Sequence, residues 1–388
     1  MQQKDEVAAT IMKDVNGKYI DKYEQSLTKK GITNLTDQQM NNLFSELRLR
    51  ISLSPKCNLS CLFCSNEGAC YASKKDSAPD LKKIIKLNEM LIKNTSLKQI
   101  DFSGGEPLLH PDFLEEKYEL IKWTKKHPEV RFSLHTNGIN LSANIINKIK
   151  DNFSRIGISL HSINFDSWDK ITNPSGKFSE NMQKERFQKI MDNLKYLSEQ
   201  NIGDKVFLKS VVIRGINDSK GELKSFLDFC KKLKFHPKFL QFDPQYSSQK
   251  DLQVKRKELF TKLSEIGVDF KEDTPFHNDP HTYLPGINFK YKSTLEGLHS
   301  IFGCGDFAAC KSCYNFLCMF VKFSSDGSRV YLKPCAVLDS QIDITPAIEK
   351  ENMPQLFNLF KISREYLMLA PGLGTCGWNK EEKYENGF

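Results

Sequence analysis

The stretch RISLSPKCNLSCLFCSNEG, residues 50–68, joins an alternating apolar run to three closely spaced cysteines, Cys57, Cys61 and Cys64. The alternation indicates a buried β-strand at 49–54, so the cysteines lie on the loop that leaves it. A structural zinc site would need a fourth ligand from elsewhere in the chain. A cubane iron–sulfur cluster has four irons, and three thiolates leave one iron open to an outside ligand. The spacing favours the cluster, with zinc or unligated cysteines as the alternatives.

The same strand begins a regular alternation of strands and helices. Further β-rich runs follow at 98–104, 130–136, 155–161, 206–213 and 238–243, separated by amphipathic segments of helical period. Strand, helix, strand repeated in this way predicts parallel pairing with right-handed crossovers. Six units are fewer than the eight of a closed TIM barrel. We therefore expect an α/β fold, an open (β/α)6 partial barrel with its chemistry at the carboxyl ends of the strands.

The alternation of strands and helices also divides the chain into three regions. A helical N-terminal extension is expected at 1–46 and the partial barrel at 47–270. After about residue 270 the alternation stops and a second group of cysteines follows. We expect a smaller C-terminal domain at 271–388.

Composition narrows the class of protein. The chain has 388 residues and a formal net charge of +8, with lysines spread along its length rather than in one basic block. Nucleic acid is therefore not the expected partner. The sequence has no apolar run long enough for a membrane span and no signal-peptide pattern, which predicts a cytoplasmic protein. In a reducing compartment, the clustered cysteines indicate metal ligands rather than disulfides.

Four further motifs follow the cysteine loop at the ends of successive predicted strands. They are SGGEP at 103–107, HTNG at 135–138, ISLHS at 158–162 and VVIRGIND at 211–218. Together with the cysteine spacing and an aromatic residue, Phe63, before the last cysteine, they resemble the radical S-adenosylmethionine (SAM) enzymes over roughly residues 48–245. Each motif alone is typical of an ordinary turn or strand end, and their joint order carries the resemblance.

The resemblance implies a mechanism and a set of site residues. Cys57, Cys61 and Cys64 would hold a catalytic [4Fe-4S] cluster, whose open iron binds SAM. Reductive cleavage of SAM would then give a 5′-deoxyadenosyl radical that abstracts hydrogen from a substrate. The electron would come from a donor such as flavodoxin or ferredoxin. The expected SAM contacts are Phe63, Gly104, Gly105, Glu106, Pro107, Asn137, Ser159 and Ile213.

The second group of cysteines surrounds a predicted hairpin at 318–335, whose turn is SSDGS. The hairpin resembles the C-terminal part of the molybdopterin GTP cyclases and the twitch and SPASM domains of other radical SAM enzymes. That resemblance implies an auxiliary [4Fe-4S] cluster. Its expected ligands are Cys310, Cys313, Cys318 and Cys335, with Cys304 and Cys376 as other candidates. Because Cys310 and Cys313 have zinc-type spacing, a zinc knuckle is the alternative.

Positions that read the substrate in the cyclases differ here. Arg50 matches a cyclase arginine, but Asp101 and Phe320 replace arginines and Phe207 replaces a lysine. Lys322 stands where the hairpin carries a second arginine. Loss of bidentate cations argues against a GTP triphosphate as substrate. We expect a small biosynthetic substrate, nucleotide-like ones included, that contacts Arg50 and Lys322.

Two alternatives remain at the level of sequence. The first is a radical SAM enzyme that modifies a ribosomally made peptide, although the N-terminal extension is short for a leader-recognition domain. The second is a non-catalytic, zinc-stabilised binding protein. Zinc without iron or sulfide would favour the second, and tight binding of a precursor peptide would favour the first.

Overall fold

The structure of the chain is a computed structural model. It describes residues 36–64, 77–242, 244, 247–270, 286–292, 295–300, 318–324, 326–333 and 341–369. The predicted N-terminal extension therefore lies outside the described residues up to residue 35. Of the cysteines predicted to hold the auxiliary cluster, Cys318 alone lies within the described ranges.

Six parallel strands in sequence order form the centre of the sheet. They are β1 (Arg48–Ser54), β2 (Gln99–Gly104), β3 (Arg131–Thr136), β4 (Phe153–Ser159), β5 (Val206–Val212) and β6 (His236–Gln241). Each of the six coincides with a predicted β-rich run to within two residues. The α/β partial-barrel prediction is thereby confirmed for this part of the chain.

Helices connect the strands and cover the outer face of the sheet. In chain order they are α1 (Asp37–Glu46) before β1, α2 (Leu81–Asn94) after β1, α3 (Pro111–Leu114) and α4 (Glu119–Thr124) after β2, α5 (Ala143–Ile149) after β3, α6 (Phe165–Thr172) and α7 (Glu180–Ser198) after β4, α8 (Lys220–Leu233) after β5 and α9 (Arg256–Glu265) after β6. Short 3₁₀ turns lie at Pro107–Leu109, Gly203–Lys205 and Ser247–Leu252. Helix α2 is typical: Asp80 caps its start, and Ile84, Leu87 and Leu91 are buried against the sheet.

Strands from the C-terminal third extend this sheet at both edges. Next to β6 lies β9 (Leu295–Ser300), followed by β8 (Gly286–Tyr291) and β7 (Val268–Phe270). Next to β1 lies β10 (Cys318–Phe323), followed by β11 (Val330–Lys333) and β12 (Ile342–Asp343). The described strands thus form one continuous sheet of mainly parallel pairing.

The predicted hairpin is present as β10 and β11, which pair antiparallel. Asp326 organises its turn by accepting hydrogen bonds from the Ser328 backbone N–H and hydroxyl at 2.9 and 2.7 Å. Gly327 has φ +72°, and a Cβ on it would meet the Ala78 carbonyl oxygen at 2.8 Å. A glycine is therefore required where the turn touches the segment before α2.

The last helical segment begins at Thr345, with Ile344 as its N-cap. The Thr345 hydroxyl accepts a hydrogen bond from the Val330 backbone N–H at 2.7 Å, which ties the segment to the hairpin. This segment consists of two helices, α10 (Thr345–Glu349) and α11 (Met353–Leu369).

Candidate functional site

A cavity of about 280 Å³ lies inside the barrel, below the carboxyl ends of the central strands. We define its rim as the residues at those strand ends: Cys57, Cys61, Phe63, Cys64, Gly104, Gly105, Asn137 and Ser159. We define its floor as the polar side chains deeper in the barrel: Arg48, Arg50, His135, Arg155, Lys209 and Lys238. The two sets face the same space, so a molecule at the rim would also face the floor.

The cysteine loop is fixed at both of its ends. Near its start, the Gly105 N–H donates to the Ser54 carbonyl and the Glu106 N–H donates to the Lys56 carbonyl, each at 2.7 Å. Near its end, the Leu62 N–H donates to the Ile171 carbonyl at the end of α6, at 2.8 Å. Backbone hydrogen bonds therefore tie the loop to the glycine motif on one side and to a helix on the other.

Asn137 links the end of β3 to the first cysteine. Its side-chain Nδ2 lies 2.7 Å from Asn58 Oδ1 and 3.8 Å from Cys57 Sγ. Hydrogen bonds to the sulfur ligands of a cluster influence its reduction potential. The resemblance predicts that Asn137 contacts SAM, and the structure places its side chain beside Cys57.

Glu106 is wholly buried behind the rim and does not line the cavity. Its Oε2 accepts the Asn137 backbone N–H at 2.7 Å, and its Oε1 accepts the Thr136 hydroxyl at 2.6 Å and the Leu108 N–H at 3.1 Å. Burial raises the pKa of this carboxyl to about 7, against the lowering effect of these hydrogen bonds. Glu106 therefore positions the end of β3, and through it Asn137.

Gly104 allows two strand ends to approach each other at the rim. Its φ is +130°, and a Cβ on it would lie 2.7 Å from the Ser54 carbonyl oxygen. Any other residue would push the glycine motif away from the end of β1. The close approach that brings the motif beside the cysteine loop depends on this glycine.

The donor set at the rim suits an iron–sulfur cluster. Three half-buried thiols line one cavity, and within the described ranges no three His, Cys, Asp or Glu side chains converge closely enough to hold a single metal ion. A cubane cluster does not need three ligands around one ion, because each of its thiolates binds a different iron. Cys57, Cys61 and Cys64 are therefore suited to hold a cluster that would supply an open iron to a ligand in the cavity.

The floor is strongly basic. Arg48, Arg50, Arg155, Lys209 and Lys238 line the cavity, and none of the described lining residues carries a carboxylate. Each comes from a strand position whose side chain points into the barrel. Arginine side chains keep their charge at any physiological pH, so the floor attracts anions.

Behind the floor, Asp101 organises the basic residues. It is 1% exposed, and its Oδ2 lies 3.3 Å from Arg48 Nε, 3.8 Å from Arg50 Nη2 and 3.1 Å from His135 Nε2. Burial alone would raise the pKa of Asp101, but Arg48, His135 and Arg50 hold it well below its ordinary value. Asp101 is therefore an ionised acceptor, and His135 Nε2 must carry the proton that it donates.

His135 in turn positions the amine of Lys209. Lys209 Nζ lies 2.6 Å from His135 Nδ1, the ring nitrogen left to accept. A Cβ on Gly157, the register partner of His135 on β4, would lie 2.5 Å from Lys209 Cε and 2.8 Å from His135 Nδ1. The absence of a side chain on Gly157 makes room for this contact.

Most sequence-predicted site residues meet at this cavity. The three cysteines, Arg50 and five of the eight expected SAM contacts line it: Phe63, Gly104, Gly105, Asn137 and Ser159. Glu106, Pro107, Ile213 and Lys322 do not. Pro107 starts the 3₁₀ turn after the glycine motif, Ile213 packs in a small apolar cluster beside Phe63, and Lys322 lies further along β10.

Most of the floor was not predicted from the sequence. Arg48, Arg155, Lys209 and Lys238 are charged residues within strands of the sheet, and Lys209 follows three apolar residues at the start of β5. Parallel strands covered on both faces are usually continuous apolar runs. A single charged residue within such a run was the available signal, and it points to a polar interior.

The comparisons with known proteins agree with this geometry. Residues 51–229 match the family model of the radical SAM superfamily. The GTP 3′,8-cyclase of Listeria monocytogenes is 26% identical over 306 residues, which cover 78% of this chain and 82% of that protein. The probable GTP 3′,8-cyclase of Methanosarcina acetivorans is 26% identical over 349 residues, 87% of this chain and 90% of that protein.

One solved structure shows the same fold. It is Streptococcus suis SuiB bound to S-adenosylmethionine, with a TM-score of 0.52, 14% identity, and coverage of 89% of this chain and 71% of that chain. Among the described residues, none of the helices is both long and apolar enough to span a membrane. The cysteine loop, the ordered strand-end motifs and these matches together identify an enzyme with a radical SAM domain at residues 51–229 and homology to the GTP 3′,8-cyclases.

Proposed function

We propose that this enzyme cleaves SAM at a [4Fe-4S] cluster held by Cys57, Cys61 and Cys64, and uses the resulting radical on a small anionic molecule. The observation that carries the proposal is the single cavity in which these three thiols face a basic floor. The cluster and SAM, when bound, supply a 5′-deoxyadenosyl radical that abstracts hydrogen. The chain's own residues bind, orient and shield the reacting molecule.

The rim supplies the binding groups for SAM. Gly104, Gly105, Asn137 and Ser159 are small or neutral and offer backbone and hydroxyl groups beside the thiols. Phe63 packs on His161 with ring centroids 4.7 Å apart, which closes the cavity wall behind the cysteine loop. Glu106 acts in this proposal by holding Asn137, because its carboxylate accepts hydrogen bonds from protein groups.

The basic floor favours an anionic small molecule as the substrate. Arg50, Arg155 and Lys238 come from three different strands, so they surround the space from several sides. SAM carries a sulfonium cation and does not itself require so many basic groups. A phosphate or carboxylate on the substrate would satisfy them.

GTP cyclisation is not the reaction we propose, although the homologous proteins are named for it. Asp101, which replaces a cyclase arginine, pairs with Arg48 and Arg50. Phe320, which replaces another, lies under the Arg50 guanidinium at 5.5 Å from ring centroid to Cζ. The two positions that carry arginines in the cyclases here carry residues that contact Arg50 instead. We therefore expect a substrate that differs in shape from GTP.

An auxiliary [4Fe-4S] cluster held by Cys310, Cys313, Cys318 and Cys335 is part of the proposal. Cys318 is buried and pairs in register with Arg48 at the amino end of β1. The catalytic cysteines follow the carboxyl end of the same strand, about 20 Å away at about 3.3 Å per residue. The two clusters would then lie at opposite ends of the cavity. We further propose a cytoplasmic location, where thiolates stay reduced, and a flavodoxin or ferredoxin as electron donor.

The proposal is tested with anaerobically reconstituted protein, SAM and dithionite. We expect iron, acid-labile sulfide and 5′-deoxyadenosine in the same preparation. Zinc without iron or sulfide would contradict the proposal and favour the binding-protein alternative. Tight binding of a ribosomal precursor peptide, with no response to inorganic pyrophosphate, would favour the peptide alternative over a small anion.

A further inference from the structure

Hydrogen bonds link Asp101 to His135 and His135 to Lys209. This series fixes the orientation of the Lys209 amine more closely than binding of an anion requires. A lysine that only attracts an anion needs no oriented partner, yet Nζ of Lys209 is held at 2.6 Å from His135 Nδ1. His135 is held in turn by Asp101 at 3.1 Å. These contacts assign the donor and acceptor roles of both ring nitrogens, since Asp101 accepts a hydrogen bond from Nε2 and Lys209 donates one to Nδ1.

Neighbouring strands of the barrel bring the three side chains together. Asp101, His135 and Lys209 come from β2, β3 and β5, three of four neighbouring strands. Gly157 on β4 has no side chain, which lets Lys209 reach across to His135. A bulkier residue there would separate the two groups. Four strands therefore cooperate in placing one amine.

Lys209 also faces an unusual set of charges. The titratable and charged groups around it are Arg48 and Arg50 on β1, Asp101 on β2, Glu106 behind the rim, His135 on β3, Arg155 on β4, His161 after β4 and Lys238, its register partner on β6. Burial, Arg50 and Arg155 lower the pKa of Lys209 well below its ordinary value, and Asp101 opposes them only in part. An amine next to other cations and away from bulk water is activated as a base and nucleophile.

We propose that Lys209 is the acid–base residue of this cavity, held by His135 and Asp101 so that its amine takes a proton from the substrate and returns it. His135 and Asp101 are positioning residues. In the forward step, the nitrogen lone pair of Nζ forms a new N–H bond, and the electrons of the broken O–H, N–H or C–H bond stay on the substrate. The step needs no oxidant or reductant, and it deepens the proposed function, on which it rests.

The experiment measures the proton state and the accessibility of the amine directly. Reconstituted holoenzyme is treated with glyoxylate and cyanoborohydride, which convert an unprotonated lysine amine to its carboxymethyl form, and peptides are quantified by mass spectrometry. Lys184 is the internal reference, since it is 57% exposed and its ion pair with Glu180 raises its pKa. Lys209→Met identifies the Lys209 signal, because the adduct must disappear from that peptide.

We expect the labelling of Lys209 to exceed that of Lys184 by at least about tenfold at about pH 7. From about pH 7 to about pH 9, labelling of Lys209 should rise less steeply than that of Lys184, which should rise about tenfold per pH unit. A Lys209 that follows the Lys184 profile, or that stays unlabelled, would overturn the proposal.

Two variants test the positioning role. His135→Ala admits water beside Nζ, and Gly157→Ala forces Nζ away from the ring without changing any charge. Both variants should shift the pH profile of Lys209 labelling towards that of Lys184. An unchanged profile in both variants would show that His135 does not position Lys209. Formation of 5′-deoxyadenosine in the wild-type sample is measured in parallel. If it occurs while Lys209 is unreactive, the inference fails and the proposed function stands; if it does not occur, the proposed function itself fails.

Discussion

The rim and the floor of the cavity are built in opposite ways. The rim consists of short motifs in which neighbouring residues act together, such as Cys57, Cys61 and Cys64 or Gly104 and Gly105. The floor takes one or two residues from each of five strands, β1 and β3 to β6, and joins residues as far apart in sequence as Arg48 and Lys238. The rim carries the groups that suit a cluster and SAM, whereas the floor carries the charges that face the substrate in the proposed function.

The first prediction tests the rim's share of the chemistry and has the largest effect. Cys61→Ala removes one of three thiolates, so the cluster cannot be held and 5′-deoxyadenosine formation should be lost, by at least about a thousandfold, the order of a disabled catalytic group. Cys230→Ala is the control, since Cys230 is buried in α8 away from the cavity. Product is quantified by chromatography after dithionite reduction. Undiminished product from Cys61→Ala would rule out the assigned cluster.

The second prediction concerns the backbone of the rim. Gly104→Ala would place a Cβ 2.7 Å from a backbone oxygen at φ +130°, and we expect the free energy of unfolding to fall by about 3 kcal/mol. Gly176→Ala is the matched control, because Gly176 also has positive φ but nothing lies within 4 Å of its Cβ position. Its loss should be about 1 kcal/mol. Equal losses in chemical denaturation would mean that the close approach of the strand ends is not tight.

The third prediction uses the buried carboxyl behind the rim. Because burial raises the pKa of Glu106 to about 7, the folded state keeps a proton that the unfolded state loses near its ordinary pKa. This contribution to stability is present at low pH and is lost as pH rises towards about 7. The stability of the wild type relative to Glu106→Gln should therefore fall by about 2 kcal/mol between about pH 5 and about pH 7. Denaturation curves at several pH values measure it, and a constant difference would contradict the raised pKa.

The fourth prediction tests the floor and has the smallest effect. Arg155→Met should weaken binding of inorganic pyrophosphate by about tenfold, the effect of losing one charge-assisted hydrogen bond. Arg214→Met is the matched control, because Arg214 pairs with Glu258 outside the cavity. Titration calorimetry on reconstituted enzyme gives both affinities. If the two variants bind alike, the floor is not the anion site.

The same contrast explains what could be predicted from the sequence. The six barrel strands and the rim motifs were predictable because each signal is local: alternation, a glycine pair, a fixed cysteine spacing. Most of the floor was not predictable, because Arg155 and Lys209 are brought to one cavity only by the pairing of β4 with β5. Glu106 shows a further limit, since its hydrogen bond to the Asn137 backbone depends on the fold and could not be read from the sequence, and its contact with SAM stays a prediction. The auxiliary cluster stays a prediction, because Cys318 alone of its proposed ligands lies within the described residues.

One measurement tests the central claim that the three rim cysteines hold a SAM-binding cluster. Electron paramagnetic resonance spectra of the reduced, reconstituted protein are recorded with and without SAM, together with iron and sulfide content, for wild type and a Cys57/Cys61/Cys64 triple alanine variant. We expect SAM to change the spectrum of the wild type alone, and the variant to lose about four of about eight irons. A spectrum that ignores SAM in the wild type, or a variant that keeps all of its iron, would contradict the claim.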